Sequence, residues 1–334
     1  MVILVLVVFC ALAFEFINGF HDTANSIATT VYTKALPVAG AIALAAIMNF
    51  CGALVSEGVA QTISKGLVSA TLDDYVILSA LLGAISWNLF TWWRGIPSSS
   101  SHALIGALIG ASIAYTVGVE GIIWDGVLQK VVIPMFTSPI IGFIMAFCIM
   151  KLILKLCARL NRRKASGVFS RLQILSAAAV AFAHGTNDAQ KTMGIITLAL
   201  VTSGVLADAA HIPLWVKMLC AFTMAMGTSA GGWRIMRTMG HGVTKLDSVR
   251  GFAAEATSAT VIQIMTLLHA PISTTQAISS AVMGVGSARR LSAVKWGKAK
   301  DILMTWIITL PASMALGAVF VIVIRFFIQM FAGA

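Results

Sequence analysis

The chain has 334 residues, of which 59% are hydrophobic and 10% charged, with a mean hydropathy of +0.93. A water-soluble domain of that length needs a far larger charged surface, so a soluble domain is excluded. The net charge of +11 is gathered in a few stretches between apolar runs, which is the pattern of membrane loops on one side, and no nucleic-acid partner is expected.

A helix needs roughly 20 apolar residues to cross a bilayer, because only there does it satisfy its own backbone without water. The first run is Met1 to Phe14. Ala11-Leu12-Ala13 resembles a signal-cleavage site, but no basic segment precedes the run, so it reads as a retained first span over 1–34. A second crossing is expected over 38–62. Val76 to Trp93 and Ala103 to Val117 flank Pro97-Ser98-Ser99-Ser100-Ser101-His102, which reads as the tip of a helical hairpin over 75–117. A crossing over 127–158 ends an N-terminal repeat, 1–158. A basic linker, 159–171, leads to a C-terminal repeat, 172–334, with crossings over 172–200 and 208–232, a hairpin over 251–288 and a last crossing over 301–330. Several runs are interrupted by Gly, Pro, Ser or Asn, as discontinuous transporter helices are. The five cysteines show no metal or disulfide spacing and read as packing residues.

Two motifs occur twice in the same order. Gly19-Phe20-His21-Asp22-Thr23-Ala24-Asn25 returns as Gly185-Thr186-Asn187-Asp188-Ala189-Gln190-Lys191. Pro97-Ser98-Ser99-Ser100-Ser101-His102-Ala103 returns as Pro271-Ile272-Ser273-Thr274-Thr275-Gln276-Ala277. The chain therefore reads as an internal duplication. If each hairpin returns to its own side, each half makes an odd number of crossings, so the halves are inverted. Three stretches hold most of the basic residues: Lys151 to Arg171, Arg234 to Arg250, and Arg289 to Lys300. The inverted arrangement puts all three on the cytoplasmic side and both termini outside. Asp73, Asp74, Glu120, Asp125 and Asp208 then lie outside, with Lys65 and Lys130. The expected fold is all-α and polytopic, with two inverted repeats, discontinuous helices and two re-entrant hairpins, in the cell (inner) membrane. Inverted repeats place the substrate near the midplane.

Acids inside apolar spans are expensive to bury and point to function. Asp22 and Asp188 occupy equivalent positions, each beside a glycine and an amide, Asn25 or Asn187. Gly and Asn weaken a helix, so the backbone is expected to open there and expose carbonyls. Carboxylate, amide and carbonyl oxygens suit an alkali cation or Mg²⁺. A helix N-cap is the structural alternative for each acid. Pro97 and Pro271 are expected at helix starts, where unpaired N–H groups and hydroxyls can cradle a tetrahedral anion. The structural alternative is that these serines and threonines only pack helices together. A carboxylate can take the proton of hydrogen phosphate, which sulfate lacks, so phosphate is favoured. Lys191 either contacts the anion or compensates Asp188. Glu15, Glu57 and Glu255 have no duplicated partners and read as structural ion pairs or gate residues, Glu57 being the best further candidate for a cation path. His21, His102 and His184 read as local hydrogen-bonding groups, with a proton relay as the alternative. Trp87, Trp92 and Trp93 read as interface or packing aromatics, and Arg94 as a residue that could steer anions.

Phe14-Glu15-Phe16-Ile17-Asn18-Gly19-Phe20-His21-Asp22-Thr23-Ala24-Asn25, with Ala28-Thr29 and Lys34-Ala35-Leu36, resembles the signature of the PiT inorganic phosphate transporters. Ala183-His184-Gly185-Thr186-Asn187-Asp188 resembles its second copy, and the two Pro-Ser/Thr motifs resemble its hairpin tips. The resemblance covers essentially the whole chain. It implies phosphate symport driven by sodium or protons, alternating access, and two essential acids. Carried over, it implies phosphate contacts from Asp22, Asn25, Ser99, Ser100, Ser101, Asp188, Lys191, Ser273, Thr274 and Thr275. It implies sodium ligands from Asp22, Asn25, Ser99, Asn187, Asp188, Ser273 and Gln276. Lys191 stands where other branches often carry Asn, and His21 likewise. Both features resemble the bacterial branch, some members of which couple to protons or carry metal-phosphate, while related sequences are described as sulfate permeases. No cofactor is expected beyond the transported ions, sodium favoured; a homodimer stays open. A passive anion channel and a membrane-embedded enzyme are the competing classes. No His-x-x-x-His or Cys-x-x-Cys pair supports the enzyme.

Overall fold

The structure, a computed structural model, describes residues 2–68, 72–159, 161–230 and 243–332, excepting the side chains of 23–25, 162 and 331–332. These residues form helices and loops, with one isolated antiparallel bridge between Val68 and Ile122. In the first half, α1 is Val2–Tyr32, α2 Val38–Ala53, α3 Gly58–Lys65, α4 Asp74–Arg94, α5 Ser100–Thr116 and α6 Trp124–Leu156. In the second, α7 is Arg162–Thr202, α8 Leu214–Ala230, α9 Ser248–Leu267, α10 Thr274–Ser287 and α11 Trp296–Ala332. Five of these helices are long and apolar enough to cross a membrane, and α2 with α3, bent by 66°, forms a sixth broken candidate. Part of the expected crossing over 208–232 lies outside the described residues.

The helix pairing has an internal symmetry. α1 packs on α8 as α7 packs on α2; α5 packs on α11 as α10 packs on α6; α4 packs on α1 as α9 packs on α7. Pro139 inside α6 has its counterpart in Pro311 inside α11. The crossings are close because glycines meet there. A Cβ on Gly52 would lie 2.2 Å from the Phe182 carbonyl, and one on Gly185 2.3 Å from the Asn49 carbonyl. Gly227 and Gly19 make the same approach between α8 and α1. Small residues let backbones approach where no hydrophobic drive separates helix from lipid. Gly52→Val is therefore expected to force α2 from α7 and lower stability by roughly 1–3 kcal/mol, as overpacking does. Thermal unfolding in detergent checks this, and an unchanged midpoint contradicts it.

Two expectations are corrected here. α1 and α7 run unbroken through Asp22 and Asp188, so the helix does not open at either acid. Neither acid is an N-cap. The glycines that suggested unwinding instead serve the close crossings. The chain breaks at the α2–α3 bend and at the two hairpin tips. The supposed linker is also largely helical, because α7 begins at Arg162 and projects its first turns, which are mostly exposed.

The tips are built alike. α4 ends at Gly95 (φ 65°), with the Ile96 N–H donating to the Thr91 carbonyl. α9 ends at His269 (φ 58°), with the Ala270 N–H donating to the Met265 carbonyl. Each is a left-handed C-terminal cap, natural for glycine and tolerated by histidine. A short extended segment follows, and then Ser99 and Ser273 cap α5 and α10. Their side-chain oxygens accept from the N–H groups of His102 (3.1 Å) and Gln276 (3.2 Å). Proline pre-sets the turn, and serine satisfies one orphan donor of the new helix.

Candidate substrate and ion site

α1 and α7 bring the two acids together. Ligand atoms of Asp22, Asp188 and His184 lie within 4.8 Å of one another, all buried. Two like charges at that separation repel by about 3 kcal/mol at an effective dielectric near 20. The site is therefore built for positive charge between or beside them.

Each acid is met by the second tip. The Thr275 hydroxyl donates to Asp22 Oδ1 at 3.1 Å, and the Thr274 hydroxyl to Asp188 Oδ2 at 3.2 Å. His21 Nδ1 also lies 2.9 Å from Asp22 Oδ1, and its Nε2 lies 3.2 Å from Thr91 Oγ1. His184 Nε2 lies 3.2 Å from Asp188 Oδ2, one helical turn away, and Nδ1 pairs with Asn49 Oδ1 at 3.0 Å. If Nδ1 carries the proton and donates to Asn49, the Nε2 lone pair faces the carboxylates.

Lys191 joins the two tips. Its ammonium donates to Asp188 Oδ1, to Ser101 Oγ and to the Ile272 carbonyl. Ser101 in turn donates to the Ile272 carbonyl at 2.9 Å. An ammonium has three donors, and all three are in use. In this arrangement Lys191 is paired with Asp188, the contact that the compensating role requires. Its counterpart, Asn25, lies on α1 with a side chain outside the described residues.

The remaining predicted residues divide. The Ser99 and Ser273 oxygens are used as caps. Asn187 donates to Thr266 (2.9 Å) and the Ala270 carbonyl (3.1 Å), while its Oδ1 has no hydrogen-bond partner in the protein. Gln276 Oε1 and the Ser100 hydroxyl are likewise buried without one. Buried acceptors of that kind favour a cation or an added donor. By helix geometry the N–H groups at the starts of α5 and α10 point out of each tip toward negative charge.

Glu15, Glu57 and Glu255 differ from one another. Glu57 is an ion pair, formed with Lys217, and accepts from the Ile212 N–H at 3.3 Å. Glu15 is not: Oε2 accepts from Thr192, one turn past Asp188, and Oε1 is buried without a partner. Glu255 is not an ion pair either. It accepts from Thr29, Thr30, Gln173 and Ser176, tying α9 to α1 and α7. Among the described residues, then, the ion-pair reading fits Glu57, while Glu15 and Glu255 are met by hydroxyl and amide donors. The His102 side-chain Nδ1 has no partner. Arg94 stacks over Phe90 and Trp93, and lines a cavity of about 340 Å³ beside Pro97 with Lys298 and Asp301. Trp87 bonds Thr309, and Trp92 packs edge-on against Phe20. Asn49 and Thr91, which orient the two histidines, were not singled out in the sequence. A polar residue inside the apolar run 38–55 was the available signal for Asn49.

This fold and this site define a polytopic membrane transporter. A profile described as the phosphate transporter family matches residues 18–317. The chain belongs to that family. It is 49% identical over 322 residues to the "Probable low-affinity inorganic phosphate transporter" of Bacillus subtilis (strain 168), covering 96% of each chain. It is 45% identical to the protein of the same name from Rhizobium meliloti (strain 1021), covering 92% of each. A solved structure titled "The sodium-dependent phosphate transporter" superposes with a TM-score of 0.89 at 26% identity, covering 98% of this chain and 100% of that one.

Proposed function

We propose that this chain imports inorganic phosphate by symport with cations, sodium favoured, through alternating access. The carrying observation is that the equivalent acids of the two copies, Asp22 and Asp188, meet within 4.8 Å beneath the hydroxyls of a helix start. Bound cations would neutralise the acids, and the two tip dipoles would then favour a tetrahedral anion. The names of the relatives and of the structural neighbour support phosphate and sodium respectively. The described site residues are 0–2% exposed, and the tips touch through Ser101, Ile272 and Lys191, as an occluded arrangement requires. The basic stretches support inverted halves with the basic connection in the cytoplasm and both termini outside.

A second reading has one observation in its favour. The set Asp22, His184 and Asp188 includes an imidazole nitrogen, which suits a divalent metal travelling with phosphate better than it suits sodium. Uptake of labelled phosphate into proteoliposomes, with sodium, potassium, proton, Mg²⁺ and Zn²⁺ gradients imposed one at a time, separates the readings. Sodium-driven accumulation is expected. Accumulation under a divalent-metal or proton gradient alone would transfer the coupling, and sulfate accumulation without phosphate would overturn the substrate.

A further inference from the structure

A second anion site lies away from the central one. Between the start of α9 and the α10–α11 connection is a cavity of about 670 Å³ whose lining, among the described residues, includes Lys245, Arg250, Arg289, Arg290 and Lys295, and no acid. We infer that this cavity binds a phosphate-bearing anion, either the headgroup of an anionic lipid or free phosphate on that face.

A basic stretch that only orients a membrane protein can remain scattered on mobile side chains. Here the backbone gathers the charges into one concave site. The Lys295 N–H donates to the Val243 carbonyl at 2.9 Å, and the Thr244 hydroxyl donates to the Ala293 carbonyl at 3.1 Å. These bonds tie the segment before α9 to the connection after α10. The Arg250 guanidinium is fixed by Nη1 donating to the Lys245 carbonyl at 2.8 Å, while its buried Nε has no hydrogen-bond partner. Asp247 is the acid nearest in sequence; it lies 3.7 Å from Arg250 Nη1 and is largely exposed. The segment 231–242, which leads into Val243, contains no acidic residue. Among the described residues, five basic side chains therefore line one cavity, with the Asp247 carboxylate near Arg250. Guanidinium groups fit phosphate oxygens in pairs, and a basic pocket at a membrane face suits a phosphate headgroup.

Occupancy bears on the hairpin. Gly286, at the end of α10, packs against Thr244, and a Cβ there would lie 2.9 Å from its hydroxyl oxygen. An anion drawing the α9 and α10 ends together holds the base of the hairpin whose tip carries Ser273, Thr274 and Thr275. None of the five cations belongs to the central set, so binding here stands whether or not the transport reading holds.

The test uses the full chain carrying Asp22→Asn, so that the central site contributes little, in nanodiscs. Three forms are compared: that background, the same with Arg289→Gln and Arg290→Gln, and the same with Arg163→Gln and Lys164→Gln as a charge-matched control. One arm titrates phosphatidylglycerol into phosphatidylcholine; the other titrates inorganic phosphate at fixed ionic strength in phosphatidylcholine alone. The readout is the rise in thermal unfolding midpoint. At roughly 1 kcal/mol per basic residue, the pocket variant is expected to bind about 30-fold more weakly, with the control unchanged. Loss in the first arm identifies a headgroup, and loss in the second a free phosphate. No response in either arm, or equal losses in pocket variant and control, overturns the site. If the double variant does not fold, Lys245→Gln replaces it under the same criteria, with about fivefold expected.

Discussion

Asp22→Asn is expected to abolish gradient-driven phosphate uptake, by about 100-fold or more, while the protein still folds. Asn keeps an oxygen that can accept from Thr275, so the hydrogen bond seen at Asp22 Oδ1 has a replacement. It lacks the charge that draws a cation to the pair. Losing about 3 kcal/mol of cation attraction corresponds to roughly two orders of magnitude in affinity. Asp188→Asn should abolish uptake equally but should also destabilise, because it leaves the Lys191 ammonium buried without its counter-ion. Uptake in proteoliposomes and thermal unfolding, measured together, separate the two effects. Wild-type uptake by either variant would remove the acids from the mechanism. Equal stability of the two variants would remove the asymmetry argued for Lys191.

Lys191→Met gives the second large effect. It leaves Asp188 buried with its charge unopposed by Lys191 and cuts the link between the tips at Ser101 and Ile272. Breaking a buried pair from one side costs about 3–5 kcal/mol, whereas removing both partners costs far less. The single variant should therefore unfold at a markedly lower temperature. The double variant Asp188→Asn with Lys191→Met should recover most of that loss and still fail to transport. Sodium should raise the midpoint of the single variant more than that of wild type, because a bound cation can stand in for the ammonium. A single variant as stable as wild type, or a double variant no better than the single, would show that the lysine is not the counter-ion.

These effects differ because the two motifs carry different residues three positions after the acid. Asn25 and Lys191 are equivalent by motif, yet only the second copy carries a fixed charge there. One acid thus has a lysine partner, and the other meets His21 and Thr275. Under the proposed function, the Asp22 side is the natural place for an exchangeable cation. The Asp188 side would hold the tips together.

Much of the site was legible because ionisable residues within apolar runs stand out, and because repetition marks them twice. Asp22 with Asp188, and Ser99 with Ser273, occupy matched places in the structure, and both serines cap helices that begin one residue later. What was misread depended on competing interactions. Gly19 and Gly185 lower helix propensity, yet α1 and α7 stay continuous, since packing against Gly227 and Asn49 outweighs a local preference of about 1 kcal/mol. Glu15 and Glu255 read as ion pairs or gate residues, and of these two the ion pair is not what the described residues form. Their donors are hydroxyls and amides contributed largely by helices distant in sequence, which no spacing rule exposes.

The sequence by itself determined that the chain lives in a bilayer, that two of its motifs occur twice, and which polar residues cannot be there for solubility, because hydropathy and repetition are properties of short segments. Only the tertiary structure decided which acid meets which tip, that both threonine contacts come from the second hairpin, and that Lys191 is already saturated. Asp22 and Thr275 touch across 253 residues of chain, and contacts at that range are fixed by helix packing as a whole.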